Sequence, residues 1–255
     1  MQRGQGPSFV FGAFHGAWGS ERQYLKTARY FEAYGHKLIA VRLPIDELGQ
    51  DYSSMAEAAA KELVPYEEQR PRIIANSRMC NVAALMPRLI DISAIDYVCG
   101  TIPATKADIS TGKLKGLPIK HGDLFYSGIE YVPGRPGLTQ MNNLVGLKTI
   151  AFGCLPSEAW EIVKDLRPNV EREEDTVLPE RLGIPERAHF GTIDRVVMPT
   201  YVKAASLAIL GTEAYEFVGA GHLPHVSHAH DFARIMINFA MADYRAEYHM
   251  PSYEQ

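Results

Sequence analysis

Cysteine is scarce in this chain of 255 residues: the three present, Cys80, Cys99 and Cys154, are scattered and fall in no paired spacing. That count excludes a disulfide framework and a cysteine-based zinc site, and it predicts reduced, buried packing thiols. Long apolar runs are also missing. No stretch approaches the ~20 consecutive apolar residues of a membrane span, and the opening Met1-Gln2-Arg3-Gly4-Gln5-Gly6-Pro7 has no apolar signal core, so a cytoplasmic protein with no membrane partner is expected. Positive charge is not in excess: 26 Lys and Arg stand against 30 Asp and Glu, a net charge of -4, which leaves no electrostatic footprint for nucleic acid. A dinucleotide loop is absent as well. Gly12, Gly16 and Gly19 are spaced G-x3-G-x2-G and not G-x-G-x-x-G, and no Tyr is followed by Lys four places on.

What is present is the composition of a globular protein with a sizeable core, 46% apolar and 22% charged, in a pattern of alternating strands and helices. Ser8 to Phe11 reads as a short buried strand and Gly12 to Gly19 as a glycine-rich loop. Ser20 is expected to cap a helix, with Gln23 completing a capping box and Leu25, Ala28 and Phe31 on its inner face. A strand over residues 36–44, a helix over 54–64 and a strand ending at Asn76 follow, then a helix over 81–90 and a strand over 95–99. This alternation implies right-handed crossovers and a mostly parallel sheet covered on both faces. From about 101 to 186 the pattern breaks into Pro- and Gly-rich sequence, with a hairpin near Tyr126 to Ile129 and a helix containing Trp160 to Val163, and it is read as an inserted cap. The core is then residues 1–100 and 187–255, with further strands over 187–194 and 214–218 and a last helix carrying Phe232, Ile235, Met236 and Phe239.

The strand at Arg72 to Asn76 stops abruptly at Ser77, and a helix-favouring run begins at once. This is the strand-turn-helix layout of a nucleophile elbow, yet it lacks both glycines of G-x-S-x-G, with Ala75 and Met79 in their places. Ser77, Asp194 and His222 each follow a strand, and strand ends in a parallel sheet share one edge, so the three can converge. Asp96 and Asp108 are alternative sources of the acid. Backbone N–H groups of Ala13, in the first loop, and Arg78, just past the serine, are the expected oxyanion donors. Gly12, Phe14, Trp18, Phe125, Tyr126, Phe152 and Trp160 are expected to line an apolar pocket under the cap. His222, His225, His228 and His230 have a metal-like spacing without acidic or cysteine partners, so one catalytic histidine and three surface ones are expected, with no metal and no cofactor.

Phe9-Val10-Phe11-Gly12-Ala13-Phe14-His15-Gly16-Ala17-Trp18 resembles the H-G-A-W-H-G-A-W opening of α/β hydrolases in the plant methylesterase and hydroxynitrile lyase group and their bacterial relatives, with Phe11 at the first His. Ala33-Tyr34-Gly35-His36 with Leu43-Pro44, Cys154 to Trp160, Gly191 to Arg195, and Ala220-Gly221-His222-Leu223-Pro224-His225-Val226-Ser227 are similar to further segments of that group in the same order. The resemblance implies an α/β-hydrolase fold and a Ser77-His222-Asp194 triad that cleaves a small, apolar or aromatic ester, carbamate, amide or lactone through an acyl-enzyme. Hydroxynitrile lyases of the group carry Lys after the catalytic His and Thr in the first loop, where this chain has Leu223 and Gly12, so the resemblance favours hydrolysis. A lyase or C–C bond hydrolase on the same triad and a non-catalytic receptor are the alternatives, and a homodimer stays open.

Overall fold

Alternation of short apolar runs with helix-forming stretches yields one parallel sheet. A computed structural model describes residues 7–16, 19–43, 51–113, 177–178, 180–194 and 196–249. Its strands are β1 (Val10–Phe14), β2 (Lys37–Val41), β3 (Arg72–Asn76), β4 (Ala94–Val98), β5 (Ala104–Thr105), β6 (Val177–Leu178), β7 (Glu186–Gly191) and β8 (Tyr215–Phe217). Six of them form a sheet in the order β2-β1-β3-β4-β7-β8, every pair parallel, while β5 and β6 pair separately. The chain leaves β1 to one side for β2 and returns across it to β3. The carboxyl ends of β1 and β3 therefore flank a topological switch point, where such sheets open a crevice.

Helices α1 (Leu25–Ala33), α2 (Tyr52–Leu63), α3 (Cys80–Leu85), α4 (Lys106–Ser110), α5 (Pro199–Ala205), α6 (Pro224–Ser227) and α7 (Ala229–Glu247) complete the described fold. None is long and apolar enough to cross a membrane among the described residues. The period-two alternation of a strand splits the core in two. Phe14, Ile73 and Ala75 join Leu63, Met79 and Val202 in one cluster, while Phe11, Ile74 and Val98 join Phe31, Phe232 and Met236 in the other. On this second face Arg72, Asp96 and His189 are buried side by side, and Arg72 and Arg187 both reach Asp243 on α7.

Several boundaries differ from the sequence reading for physical reasons. β1 runs to Phe14 because Ala13 and Phe14 pair with β2 on one edge and β3 on the other, so Gly12 to Phe14 are strand and not loop. Ser20 makes no side-chain cap; a 3₁₀ turn over Glu21–Tyr24 precedes α1, and Gln23 is buried facing His225. α1 accordingly turns Thr27 and Phe31 inward and leaves Leu25 exposed. Asp51 caps α2 by accepting from Ser54 N at 2.7 Å. α3 stops at Leu85 because Pro87 has no N–H to continue it, and a 3₁₀ turn follows.

Residues 99–185 connect β4 to its sheet neighbour β7. At the start of this connection Thr105 and Asp108 form a capping box on α4, and at its end Arg181 donates to Pro103 O at 2.6 Å and pairs with Glu186. The hairpin and helix expected at 126–129 and 160–163 lie outside the described residues.

Candidate active site

Ser77 is the first residue beyond β3, and it is buried with φ at +60°. A non-glycine residue enters this left-handed region only where its surroundings over-determine it. From Ser77 the backbone coils through a 3₁₀ turn, Ser77–Met79, directly into α3. The sharp turn of an elbow is thus formed without its usual glycines. Ala75 sits inside β3, and Met79 has φ -70° and ψ -3°, which any side chain adopts, with its thioether in the core.

Close approach is supplied by glycines from elsewhere. A Cβ at Gly100, just past β4, would lie 2.3 Å from Ser77 O and 2.3 Å from Cys80 Sγ. A Cβ at Gly16 would lie 3.3 Å from Ser77 Cβ and 2.8 Å from Asn76 Oδ1. The turn therefore nests between the segments that follow β1 and β4.

Asp194 stands in the turn after β7, where its N–H donates to Gly191 O at 3.0 Å. One carboxylate oxygen accepts from the N–H groups of Val196 and Val197, at 2.8 and 3.1 Å; the other lies 2.9 Å from His222 Nδ1. A carboxylate accepts, so Nδ1 carries the proton and Nε2 is left as the basic nitrogen. The loops bearing the two residues touch because Gly191 has no side chain: a Cβ there would sit 2.2 Å from Gly221 O.

Asn76 links this pair to the serine. Its Nδ2 donates to Val98 O and to His222 O, both at 3.1 Å, so the residue before Ser77 holds the backbone of the histidine. Among the described residues no hydrogen bond joins Ser77 Oγ to His222; such contacts are often long until substrate is bound.

The alternative acids are committed elsewhere. Asp96 is buried against Arg72 and His189, and Asp108 serves the cap of α4 and pairs with Lys113 at 2.9 Å. Cys99 is adjacent: its Sγ, an Asp194 oxygen and a His222 nitrogen all lie within 4.8 Å of one another. Burial, and then the Asp194 charge, push the Cys99 thiol well up, so it stays protonated and is a poor metal ligand.

Other site expectations need correction. The N–H of Ala13 belongs to a strand position paired on both edges, so it is taken up by the ladder and cannot face an oxyanion. Gly12 packs on Leu63 and Ile73, and Phe14 is fully buried in the core, so neither lines a pocket. Trp18, Phe125, Tyr126, Phe152 and Trp160 lie outside the described residues. His225 is not a surface residue: it is fully buried and stacked on Tyr24 with ring centroids 4.3 Å apart, whereas His228 bonds Ser227 and His230 bonds Tyr34.

Gly16, Asn76 and Gly100 were not legible as site residues. The signal for Gly16 was available in the near repeat of Gly12-Ala13-Phe14 by Gly16-Ala17-Trp18, of which only the second copy can follow a five-residue strand begun at Val10.

No protein-family model matches the chain, and no curated protein matches it. Solved structures do. Polyneuridine aldehyde esterase is 13% identical with a TM-score of 0.63, over 92% of this chain and 100% of that one. A bromoperoxidase from Bacillus anthracis is 19% identical with a TM-score of 0.61, over 92% and 93%. An extracellular α/β-hydrolase from a Paenibacillus species, described as sharing structural and functional homology with tobacco salicylic acid binding protein 2, is 14% identical with a TM-score of 0.55, over 90% and 98%. With its parallel sheet and the strand-end placement of Ser77, Asp194 and His222, the chain has the α/β-hydrolase fold.

Proposed function

We propose that this chain is a serine hydrolase that cleaves a small, fairly apolar carboxylic ester, or a related carbamate, amide or lactone, through an acyl-enzyme on Ser77. The observation that carries this reading is the left-handed Ser77 at the exit of β3, joined through Asn76 to a histidine whose Nδ1 is held by Asp194. A hydroxyl is a weak nucleophile until a base removes its proton, and Nε2 of His222 is the nitrogen left to do so. Ser77 Oγ would attack the carbonyl carbon, and the Arg78 N–H with a second donor from the backbone that begins at His15 would hold the oxyanion. Collapse expels the alcohol, which takes the proton from His222, and water then releases the acid by the same sequence. Side chains alone supply these proton transfers, so the reaction calls for no cofactor.

Esterases among the solved structures of this fold support the reading. Against cyanohydrin cleavage, the residue after His222 is the buried Leu223, which offers no cation for cyanide. Where those lyases carry Thr in the first loop this chain has Gly12, which offers no hydroxyl. The apolar body of the substrate is inferred from the aromatic residues of the segment 101–186.

Treating the protein with a fluorophosphonate and mapping the adduct tests the proposal. Labelling of Ser77, abolished in His222→Ala, is expected. An unlabelled Ser77 under conditions that label a control esterase would overturn it, and an apolar ester that raises the melting temperature yet stays uncleaved would favour a receptor.

A further inference from the structure

The side chain directly after the nucleophile is an arginine that has no anionic partner among the described residues. Arg78 is half-buried, and its Nε is sealed from solvent without any hydrogen-bond partner. Among the described residues its one side-chain hydrogen bond is a long one, Nη2 to the hydroxyl of Tyr52 at 3.4 Å. Among the described residues no carboxylate lies within ion-pair distance of it. Other arginines withdrawn from water have carboxylate partners: Arg72 holds Asp96 and Asp243, Arg181 holds Glu186 and Asp108, and Arg187 holds Asp243. A guanidinium stays charged and carries five donors in a planar fork, so leaving it poorly paired away from water is unfavourable.

The topology places this cation at the reaction edge. α2 precedes the parallel strand β3, so it runs back across the sheet and its first residue, Tyr52, stands at the edge where β3 ends in Ser77. Asp194 cannot supply the missing charge, because its oxygens are engaged by Val196, Val197 and His222. A guanidinium fork beside a buried phenol is the donor set that matches a planar carboxylate, accepting two N–H bonds from the one and an O–H bond from the other.

We infer that Arg78 and Tyr52 form a carboxylate-binding subsite, and that the natural substrate is an ester carrying one free carboxylate. This rests on the catalytic reading above and narrows it: the apolar body remains, with an anionic end. Consecutive Cα atoms are about 3.8 Å apart, so the carboxylate sits a short chain away from the scissile carbonyl, as in the half-ester of a short dicarboxylic acid.

Monomethyl glutarate carries that free carboxylate where dimethyl glutarate carries a second methyl ester, and methanol release gives kcat/KM for each. The wild-type chain is expected to prefer the monoester. In Arg78→Gln the monoester-to-diester ratio should fall roughly 10- to 100-fold, the scale of a charged hydrogen-bond pair; Arg78→Lys, which keeps charge but not the fork, should fall in between. An unchanged ratio in Arg78→Gln, or a wild-type preference for the diester, would overturn the subsite while leaving Ser77 catalysis standing. Glutarate itself supplies a readout free of turnover. It should raise the melting temperature of the wild-type chain and not that of Arg78→Gln or Tyr52→Phe, and this holds even where fluorophosphonate fails to label Ser77. Equal stabilisation of all three proteins would count against the subsite.

Discussion

Ser77 is held in a conformation that serine avoids, and the residues that hold it are not the ones a sequence motif would name. The glycine at the far side of the elbow is replaced by Met79, whose backbone angles need no glycine and whose side chain fills the core. Restoring the motif should therefore harm the protein. Met79→Gly is expected to lower unfolding stability by about 2 to 5 kcal/mol, the cost of deleting a buried Met side chain, measured by urea denaturation. Gly100→Ala is expected to act on the site itself. Its Cβ would meet the Ser77 carbonyl oxygen, a backbone atom that cannot rotate away, so stability should fall by about 1 to 3 kcal/mol and fluorophosphonate labelling of Ser77 should slow. Ala75, Ser77 and Met79 were legible as an elbow from local order alone; Gly100 was not, because its contact with Ser77 is made across the sheet.

At the scale of elements, the four-residue α6 turns the histidine loop back beneath the site and buries His225 between Tyr24 and Phe232. Burial, then the nearby His222 and His15, lower its pKa from 6.5 to about 3. The folded chain thus keeps this imidazole neutral where the unfolded chain binds a proton. Stability from His225 is complete above pH 6.5 and is lost as pH falls towards 3, by up to about 1.4 kcal/mol per pH unit. His225→Phe, which keeps an aromatic ring between Tyr24 and Phe232, should flatten that dependence: the stability difference between wild type and variant should shrink or reverse as urea unfolding is followed from pH 7 to pH 5. Sequence spacing could not separate His225 from the surface histidines beside it, since α6 is shorter than the window in which helical periodicity is readable.

The whole molecule is joined across its sheet by a buried ionic network that has no part in the proposed chemistry. Arg72 on β3 pairs with Asp96 on β4, Asp96 with His189 on β7, and Arg72 and Arg187 with Asp243 on α7. Burial works to raise the Asp96 pKa, but the Arg72 charge and the His189 hydrogen bond outweigh it and hold the carboxyl below its usual range. A depressed carboxylate contributes stability above its unfolded pKa and loses it as pH falls. Removing the cation leaves Asp96 buried and unbalanced, so Arg72→Met should cost about 3 to 5 kcal/mol at pH 7. The deficit should be smaller at pH 4, where Asp96 in the variant can take up a proton; chemical denaturation at the two pH values compares them.

By itself the sequence determined the alternation of strands and helices, the parallel sheet and the chain order of Ser77, Asp194 and His222, because strand periodicity and the sharing of one edge by parallel strand ends are local and topological matters. Only the tertiary structure decided that β1 runs on to Phe14 and so removes Ala13 from the oxyanion, that Gly16 and Gly100 make room for Ser77, that Asn76 holds His222, and that Arg78 has no carboxylate partner among the described residues. Each of these depends on which atoms from distant segments come within a few ångströms of one another, and in a close-packed interior that distance decides whether a side chain fits, pairs or is left waiting for a ligand.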